Sequence, residues 1–470
     1  MDISLSANDY AALAPLLILL LGGLALLLVQ TFWEEESDRV APLLTLATLI
    51  AAMFAAYQAP VSDNALLTPW LKFDHLSRFF TLFFLAVGVG ITLLASPFFQ
   101  TFQPSRGEFF FLLLSAIFGL ILIGASADFL TLFIGIETLS LSLYVLCGYM
   151  KRWKFSAESS MKYFFMGSLA AAFLLYGIAL VYGATGTTNF QALQSAPKDS
   201  VLFLAGVVFI SFALAFEVAA VPFHFWAPDV YEGASTPVTA FMAIGTKVGA
   251  FAAFVRVFME TFHQFNPLWN NGIAVLAMIT LIYANFVAMR QLEIRRFFAY
   301  SGISHAGFLL LPIAVGTPAA EDALLYYLVV YAIATIGAFG VISFLDNKTH
   351  GVDFSQIKGL FRRSPWLAAI LSLCLLTLAG IPPTVGFFAK FYLFKVAYQA
   401  GYYALVIVAL LTTILSAYYY LRMVALMFAD TPEELAPPTK YFSPTLLVVA
   451  SLAAIALFSF FPGLLHLAIE

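Results

Sequence analysis

The stretch Leu375-Leu-Thr-Leu-Ala-Gly-Ile-Pro-Pro-Thr-Val-Gly-Phe-Phe-Ala-Lys390 decides how this chain folds. It lies inside an apolar run, near 366–396, that is long enough to cross a bilayer, whose hydrocarbon core takes about 20 helical residues. Gly380-Ile381-Pro382-Pro383 interrupts that run, and a lysine follows Pro383 by seven positions. Proline donates no backbone hydrogen bond. Pro382 and Pro383 therefore free the carbonyls of Leu378 and Ala379, and in lipid these must be satisfied by protein or trapped water. A second run, near 200–221, ends in Val221-Pro222-Phe223-His224 and carries Glu217 five residues before Pro222. There the proline frees the carbonyl of Val218. A plain proline kink is common in membrane helices. A kink with an ionisable residue within two turns, occurring twice, points to hydrated breaks of the kind a proton wire needs.

Working outward, runs long enough to span occur about fourteen times. They lie near 11–32, 40–57, 78–97, 108–126, 129–149, 158–183, 200–221, 237–258, 272–289, 297–316, 322–345, 366–396, 402–428 and 443–464. The composition agrees. Of 470 residues, 62% are hydrophobic and 10% charged, with a mean hydropathy of +0.94. A soluble domain carries about 25% charged residues. The chain reads as an all-α polytopic membrane protein. Its net charge of −4 gives no sign of nucleic-acid binding. Cys147 and Cys374 sit in apolar runs without CxxC partners, which excludes an iron–sulfur or zinc motif and leaves buried inert thiols. No GxGxxG or GxxxxGK[ST] motif is present. Metal and cofactor sites are thus expected to be none in this chain, with any redox chemistry on another polypeptide.

Loop charges give an orientation. Odd-numbered loops hold Arg39, Arg106, Lys151, Arg152, Lys154, Arg290, Arg295, Arg296, Lys348, Lys358, Arg362, Arg363 and Lys440. Even-numbered loops hold Lys72, Arg78, Lys198 and Arg256. Odd loops should face the cytoplasm and both termini the other side. Met1–Tyr10 has Asp2 and Asp9 but no Lys or Arg, so the first run reads as a retained span. Glu34-Glu35-Glu36 reads as a solvated cap or partner contact. No linker interrupts the chain, so it is one domain over 1–470. Two interrupted spans at matching places point to inverted repeats with the functional site at the breaks. Spans four to eight (about 108–258) pair with spans nine to thirteen (about 272–428).

Four ionisable residues lie inside spans: Glu137, Glu217, Lys247 and Lys390. A charge near the bilayer centre costs about 2.5–3.5 kcal/mol even on the mild insertion scale. The set reads as stations of a proton or ion path. Desolvation disfavours the charged forms of carboxyls and amines alike, which suits loading and release near neutral pH. For one residue alone, a static ion pair or a packing acid is as good a reading. Lys162 begins the sixth span, and either snorkels to the edge or turns inward to pair with Glu137. The inward reading is preferred. His224 follows Glu217 by seven residues, a helical spacing for one shared face that the intervening proline weakens. His305, within the tenth span, is either a hydrogen-bonded packing residue or a relay. Asp74, His75 and Arg78 read as outer-loop structure, Asp229 and Glu232 as caps or gating groups, and Lys395 as a snorkelling side chain. The 16% aromatic content is read as packing and lipid-facing surface.

At Val221-Pro-Phe-His-Phe-Trp-Ala-Pro-Asp-Val-Tyr-Glu-Gly-Ala-Ser-Thr-Pro-Val238 the chain resembles the N subunits of bacterial proton-pumping NADH:quinone oxidoreductase, the antiporter-like subunits of respiratory complex I. Phe133-Ile-Gly-Ile-Glu137, Gly245-Thr-Lys-Val-Gly249, Tyr300-Ser-Gly-Ile-Ser-His-Ala-Gly307 and Gly380–Tyr392 support it, and the likeness runs over nearly the whole chain. The long motif separates it from L, M and cation/proton antiporter relatives, and the chain stops without the lateral helix of the L subunit. The resemblance implies fourteen helices with two inverted five-helix repeats and two discontinuous helices. It also implies a non-redox role in proton translocation in the inner membrane, driven by quinone reduction in partner subunits. M-like and K-like membrane neighbours are implied, with quinone, NADH, FMN and Fe–S clusters on the partners. Glu137 matches the fifth-helix glutamate, Lys247 and Lys390 the eighth- and twelfth-helix lysines, and His305 a histidine between them.

One position departs. Members usually carry a lysine before the VPFH motif, paired with the fifth-helix glutamate, where this chain has Phe216-Glu217-Val218. Two acids in one dry region cannot both ionise cheaply, so a proton is shared, or Lys162 or Lys247 supplies the missing charge. The expected path runs through Glu137, Glu217, Lys247, His305 and Lys390, with Lys162 and His224 as further candidates. The rival readings are a stand-alone cation/proton antiporter, a structural spacer made inert by Glu217, and the same role with another electron donor such as ferredoxin.

Overall fold

The computed structural model describes residues 6–62, 64, 66–102, 107–195, 200–263, 266–346, 352–430 and 442–469. Arg106, Lys198, Lys348 and Lys440, and the side chains of Glu34-Glu35-Glu36, lie outside the described residues. Among the described residues all regular structure is helical, and only isolated bridges join extended segments.

Twelve helices are long and apolar enough to cross a membrane, and two shorter apolar ones, Val201–Glu217 and Pro365–Ala379, complete the set of fourteen spans. Each short helix is half of a broken span. The seventh continues after a turn as Trp226–Gly233, and the twelfth as Val385–Gln399. The architecture is that of two five-helix repeats, each with one discontinuous helix. Spans eight (Thr236–Thr261) and ten (Ile294–Val315) are wholly buried, while the first, second, sixth and fourteenth keep most of their surface outward. Side chains of mixed apolar identity on such outer faces suit lipid. A helix apolar on every side and buried on every side, by contrast, belongs at the centre of a bundle.

Both breaks are stitched by hydroxyls from other spans. The Val221 amide donates to Thr280 Oγ1 of the ninth span (3.1 Å), and the Val385 amide donates to Ser459 Oγ of the fourteenth (2.8 Å). The first half of the twelfth span ends on Gly380 at φ 77°, a left-handed cap for which glycine is the ordinary choice. At the seventh span Ala219 takes φ 57° instead. Close approach is also built in at Gly386, where an added Cβ would run into the Thr377 carbonyl.

The eighth span departs from a simple helix. It is α over Thr236–Phe241, π over Met242–Thr246, α over Lys247–Phe254 and π again over Val255–Thr261. Such widened turns leave backbone groups out of the regular ladder and cluster at functional positions. No hydrophobic pattern announces them, since α and π turns alike are mainly apolar, with Lys247, Arg256 and Glu260 as the charged residues.

Candidate functional site

Lys247 sits at the junction between the first π turn and the α-helix that follows. Lys247, His305 and Lys390 are each 3% exposed. Among the described residues, no hydrogen bond or ion pair holds the Lys247 ammonium. A Cβ placed on Gly302 would lie 3.4 Å from Tyr331 Oη and 3.5 Å from Lys247 Nζ. The lysine tip and the phenol therefore both border that glycine, at ordinary contact distance from an added Cβ. Tyr331 donates to the Ala243 carbonyl within the π turn (3.0 Å), and its ring packs 4.9 Å from the His305 ring.

His305 is held on both nitrogens. Nδ1 meets Tyr327 Oη at 2.7 Å and Nε2 meets Tyr420 Oη at 3.1 Å. Tyr420 bonds in turn to Ser301. Each of these hydroxyls, and the imidazole, both donates and accepts. The string can therefore hand a proton along by exchanging roles. A space of about 10 Å³ between His305, Tyr327, Tyr331 and Lys390 is close to the least that holds one water.

Lys390 closes the second break. Its ammonium donates to the Ala379 carbonyl (2.9 Å) and to Ser416 Oγ (3.4 Å), and stands 4.6 Å over the Phe308 ring. Ala379 is the last residue of the first half-helix, so the cation lies at the negative end of that helix's dipole. This carbonyl is one of the two that the prolines were expected to free.

The first break is arranged differently. Here the carbonyl at the end of the half-helix, that of Phe216, accepts from the indole Nε1 of Trp226 (2.9 Å). Glu217 is the terminal residue of the half-helix and is buried, with no ion-pair or hydrogen-bond partner among the described residues. Glu137 is half-buried and near enough to act on it electrostatically, and the Tyr144 phenol feels both carboxyls.

Two expectations are corrected. Lys162 does not turn in toward Glu137. It pairs with Glu158 (2.8 Å) and Asp229 (2.7 Å) in a polar cleft of about 210 Å³ that also holds Glu232 and Arg296. Two carboxylates at the rim offer a lysine more than one acid in the interior. Asp229 thus pairs with both Lys162 and Arg296, and Glu232 with Arg296. His224 does not share a helix face with Glu217, because the helix stops at Glu217 and residues 218–225 turn. Its ring packs on Phe225, Tyr283 and Tyr300, and among the described residues its buried Nδ1 has no hydrogen-bond partner. Lys395 is exposed and away from this line.

Reading the aromatics as packing alone missed Tyr327, Tyr331 and Tyr420. A signal was available: Tyr327 and Tyr331 are four residues apart in an apolar span, which places two phenols on one helix face.

Fold and site together define a class: a polytopic membrane protein whose ionisable side chains gather beside two broken helices. Residues 126–416 match the family model described as NADH:quinone oxidoreductase/Mrp antiporter, TM. The chain belongs to that family. It is 57% identical to the NADH-quinone oxidoreductase subunit N of Protochlamydia amoebophila over 98% of both chains, and 37% identical to that of Myxococcus xanthus over 98% and 96%. Among solved structures it is similar to a chain of respiratory complex I from Thermus thermophilus, with a TM-score of 0.83 at 32% identity over 97% and 99% of the two chains. A chain of the Mrp complex from Dietzia shares the fold, with a TM-score of 0.88 at 21% identity, covering 99% and 97%.

Proposed function

We propose that this chain is the N-type proton-translocating membrane subunit of a respiratory NADH:quinone oxidoreductase. The observation that carries the reading is the buried string Lys247, Tyr331, His305, Tyr327/Tyr420 and Lys390, which ends on the broken twelfth helix. The proton path runs through Glu137, Glu217, Lys247, His305 and Lys390. Lys162 belongs to the ion-paired cleft rather than to the central line, and His224 to the turn after Glu217. The repeats extend over about 108–258 and 272–428.

A charge crossing the membrane potential costs about 2.3 kcal/mol per 100 mV. That energy comes from quinone reduction in partner subunits, which hold the FMN and iron–sulfur clusters, while this chain does no redox chemistry. The excess of Lys and Arg in the odd loops supports an orientation with those loops in the bacterial cytoplasm and both termini on the opposite face.

Lys390→Ala in the assembled complex tests the reading. Proton uptake by inverted membrane vesicles fed NADH should collapse, and undiminished uptake would remove Lys390 from the path. The antiporter reading predicts sodium–proton exchange by the purified chain in liposomes, and the present reading predicts none. Affinity purification from native membranes identifies the electron-input subunits and so separates NADH from another donor.

A further inference from the structure

A large cavity lies away from the ionisable line. Spans three (His75–Phe102), eleven (Pro318–Leu345) and fourteen (Phe442–Phe460) leave between them an apolar groove of about 730 Å³. Along the third span its lining runs from His75 to Leu93, about five helical turns. Small residues open its middle: Ala86 from span three, Ala332 from span eleven and Ala450 from span fourteen. It narrows where Gly90 comes against Ile336 and Leu447. Its inner wall includes Ile244, in the π turn just before Lys247.

One end of the groove is polar. Tyr57, His75 and Arg78 stand there, with His75 and Tyr57 exposed. Arg78 donates to the Ala59 carbonyl, and among the described residues no carboxylate lies within ion-pair distance of it. The nearest acid in sequence, Asp74, is turned away. It binds Arg256 at 2.7 and 2.8 Å and Lys72 at 3.1 Å. A half-buried guanidinium with no counter-charge, at the mouth of an apolar slot made by membrane-spanning helices, fits an amphiphile with an anionic head. Guanidinium donors match phosphate oxygens in pairs.

We infer that this groove binds an anionic phospholipid, its phosphate on Arg78 and His75 and an acyl chain lying between spans three, eleven and fourteen. The chain covers the apolar wall and packs on the π turn next to Lys247. An apolar slot facing hydrocarbon would otherwise have to be filled by a partner helix, and a helix offers no phosphate to Arg78.

The test is photolabelling of the assembled complex in nanodiscs with phosphatidylglycerol carrying a diazirine on its acyl chain. Wild type should be labelled on peptides of spans three, eleven and fourteen. Arg78→Gln should lower that labelling several-fold, and so should Ala332→Phe, which fills the slot while leaving Arg78 on Ala59. The matching phosphatidylcholine probe should label weakly. Equal labelling by the two probes, or by wild type and Arg78→Gln, overturns recognition of an anionic head. No labelling of these peptides in wild type overturns the proposal in favour of a protein occupant. Should Arg78→Gln fail to assemble, Ala332→Phe with the two probes still decides.

Discussion

The two broken helices solve one problem in opposite ways. Each half-helix ends inside the protein and leaves a carbonyl to satisfy. At the seventh span the indole of Trp226 takes the Phe216 carbonyl, and the ionisable residue, Glu217, is left without a bond. At the twelfth span the ionisable residue does the stitching, because Lys390 itself holds the Ala379 carbonyl. A cation there meets the favourable end of the half-helix dipole, whereas a carboxylate at the end of Val201–Glu217 meets the unfavourable one. On the proposed path, the proton site at the second break is tied to the backbone, and that at the first only to the neighbouring acid and phenol. A lysine at this place, which the family resemblance implies, would suit the dipole at the first break. Glu217 does not, so the two halves of this chain are less alike in chemistry than in shape.

The largest expected effect separates the breaks directly. Lys390→Met removes a charge-assisted hydrogen bond worth about 1.5–3 kcal/mol, which is roughly ten- to a hundredfold in a rate or an equilibrium. Pumping in vesicles should fall by that order. Glu217→Gln should lower pumping less, and Glu217→Lys should keep it. If both Glu217 variants pump and assemble as wild type does, Glu217 is off the path and the comparison reduces to structure.

His305→Phe comes next. It strips the His305 bond from Tyr327, at about 1–3 kcal/mol if that phenol is left unpaired in the interior, while Tyr420 keeps its bond to Ser301. Thermal stability of the complex should drop and pumping should fall with it. A variant that loses stability but pumps normally would make His305 a packing residue.

Trp226→Phe probes the first stitch without touching a charge. It removes one of the two hydrogen bonds on the Phe216 carbonyl and leaves that of the Ala219 amide (2.9 Å). The apparent melting temperature should fall while the ratio of protons to NADH holds.

Smaller still are the caps. Gly380→Ala puts a Cβ into a left-handed position at about 1–2 kcal/mol. That Cβ would also sit 2.7 Å from Lys390 Cδ, so it should depress pumping as well as stability. Ala219→Gly relieves a similar conformation, and stability should hold or rise slightly.

The last prediction concerns the frame rather than the breaks. Burial pushes the Asp74 carboxyl up, but the hydrogen bond and charge of Arg256 outweigh it and hold the group well below the ordinary carboxyl range. A lowered folded value means stabilisation that is full above the unfolded value, near 3.9, and lost as pH falls through the folded one. Acid titration of wild type against Asp74→Asn should show the two curves converging below about pH 4. Curves that stay parallel would mean the pair contributes no pH-dependent stability.

The sequence by itself determined the number of spans, where two of them break, and which acids and amines are carried into the membrane. Those follow from hydrophobicity and from proline's missing donor, which act locally and need no knowledge of neighbours. Tertiary structure decided what each buried group touches. Lys162 was legible as a lysine at a span's edge, yet only packing showed that Asp229 and Glu158 take it instead of Glu137. Lys390 was legible as a buried amine near freed carbonyls, and only the fold chose the carbonyl of Ala379. The π turns around Lys247 and the tyrosines about His305 left little trace in the pattern, because a bundle-centre helix is apolar on every face and its register is set by what packs against it. Hydrogen-bond partners far apart in sequence, such as His305 and Tyr420, are brought together by packing, which no local period encodes.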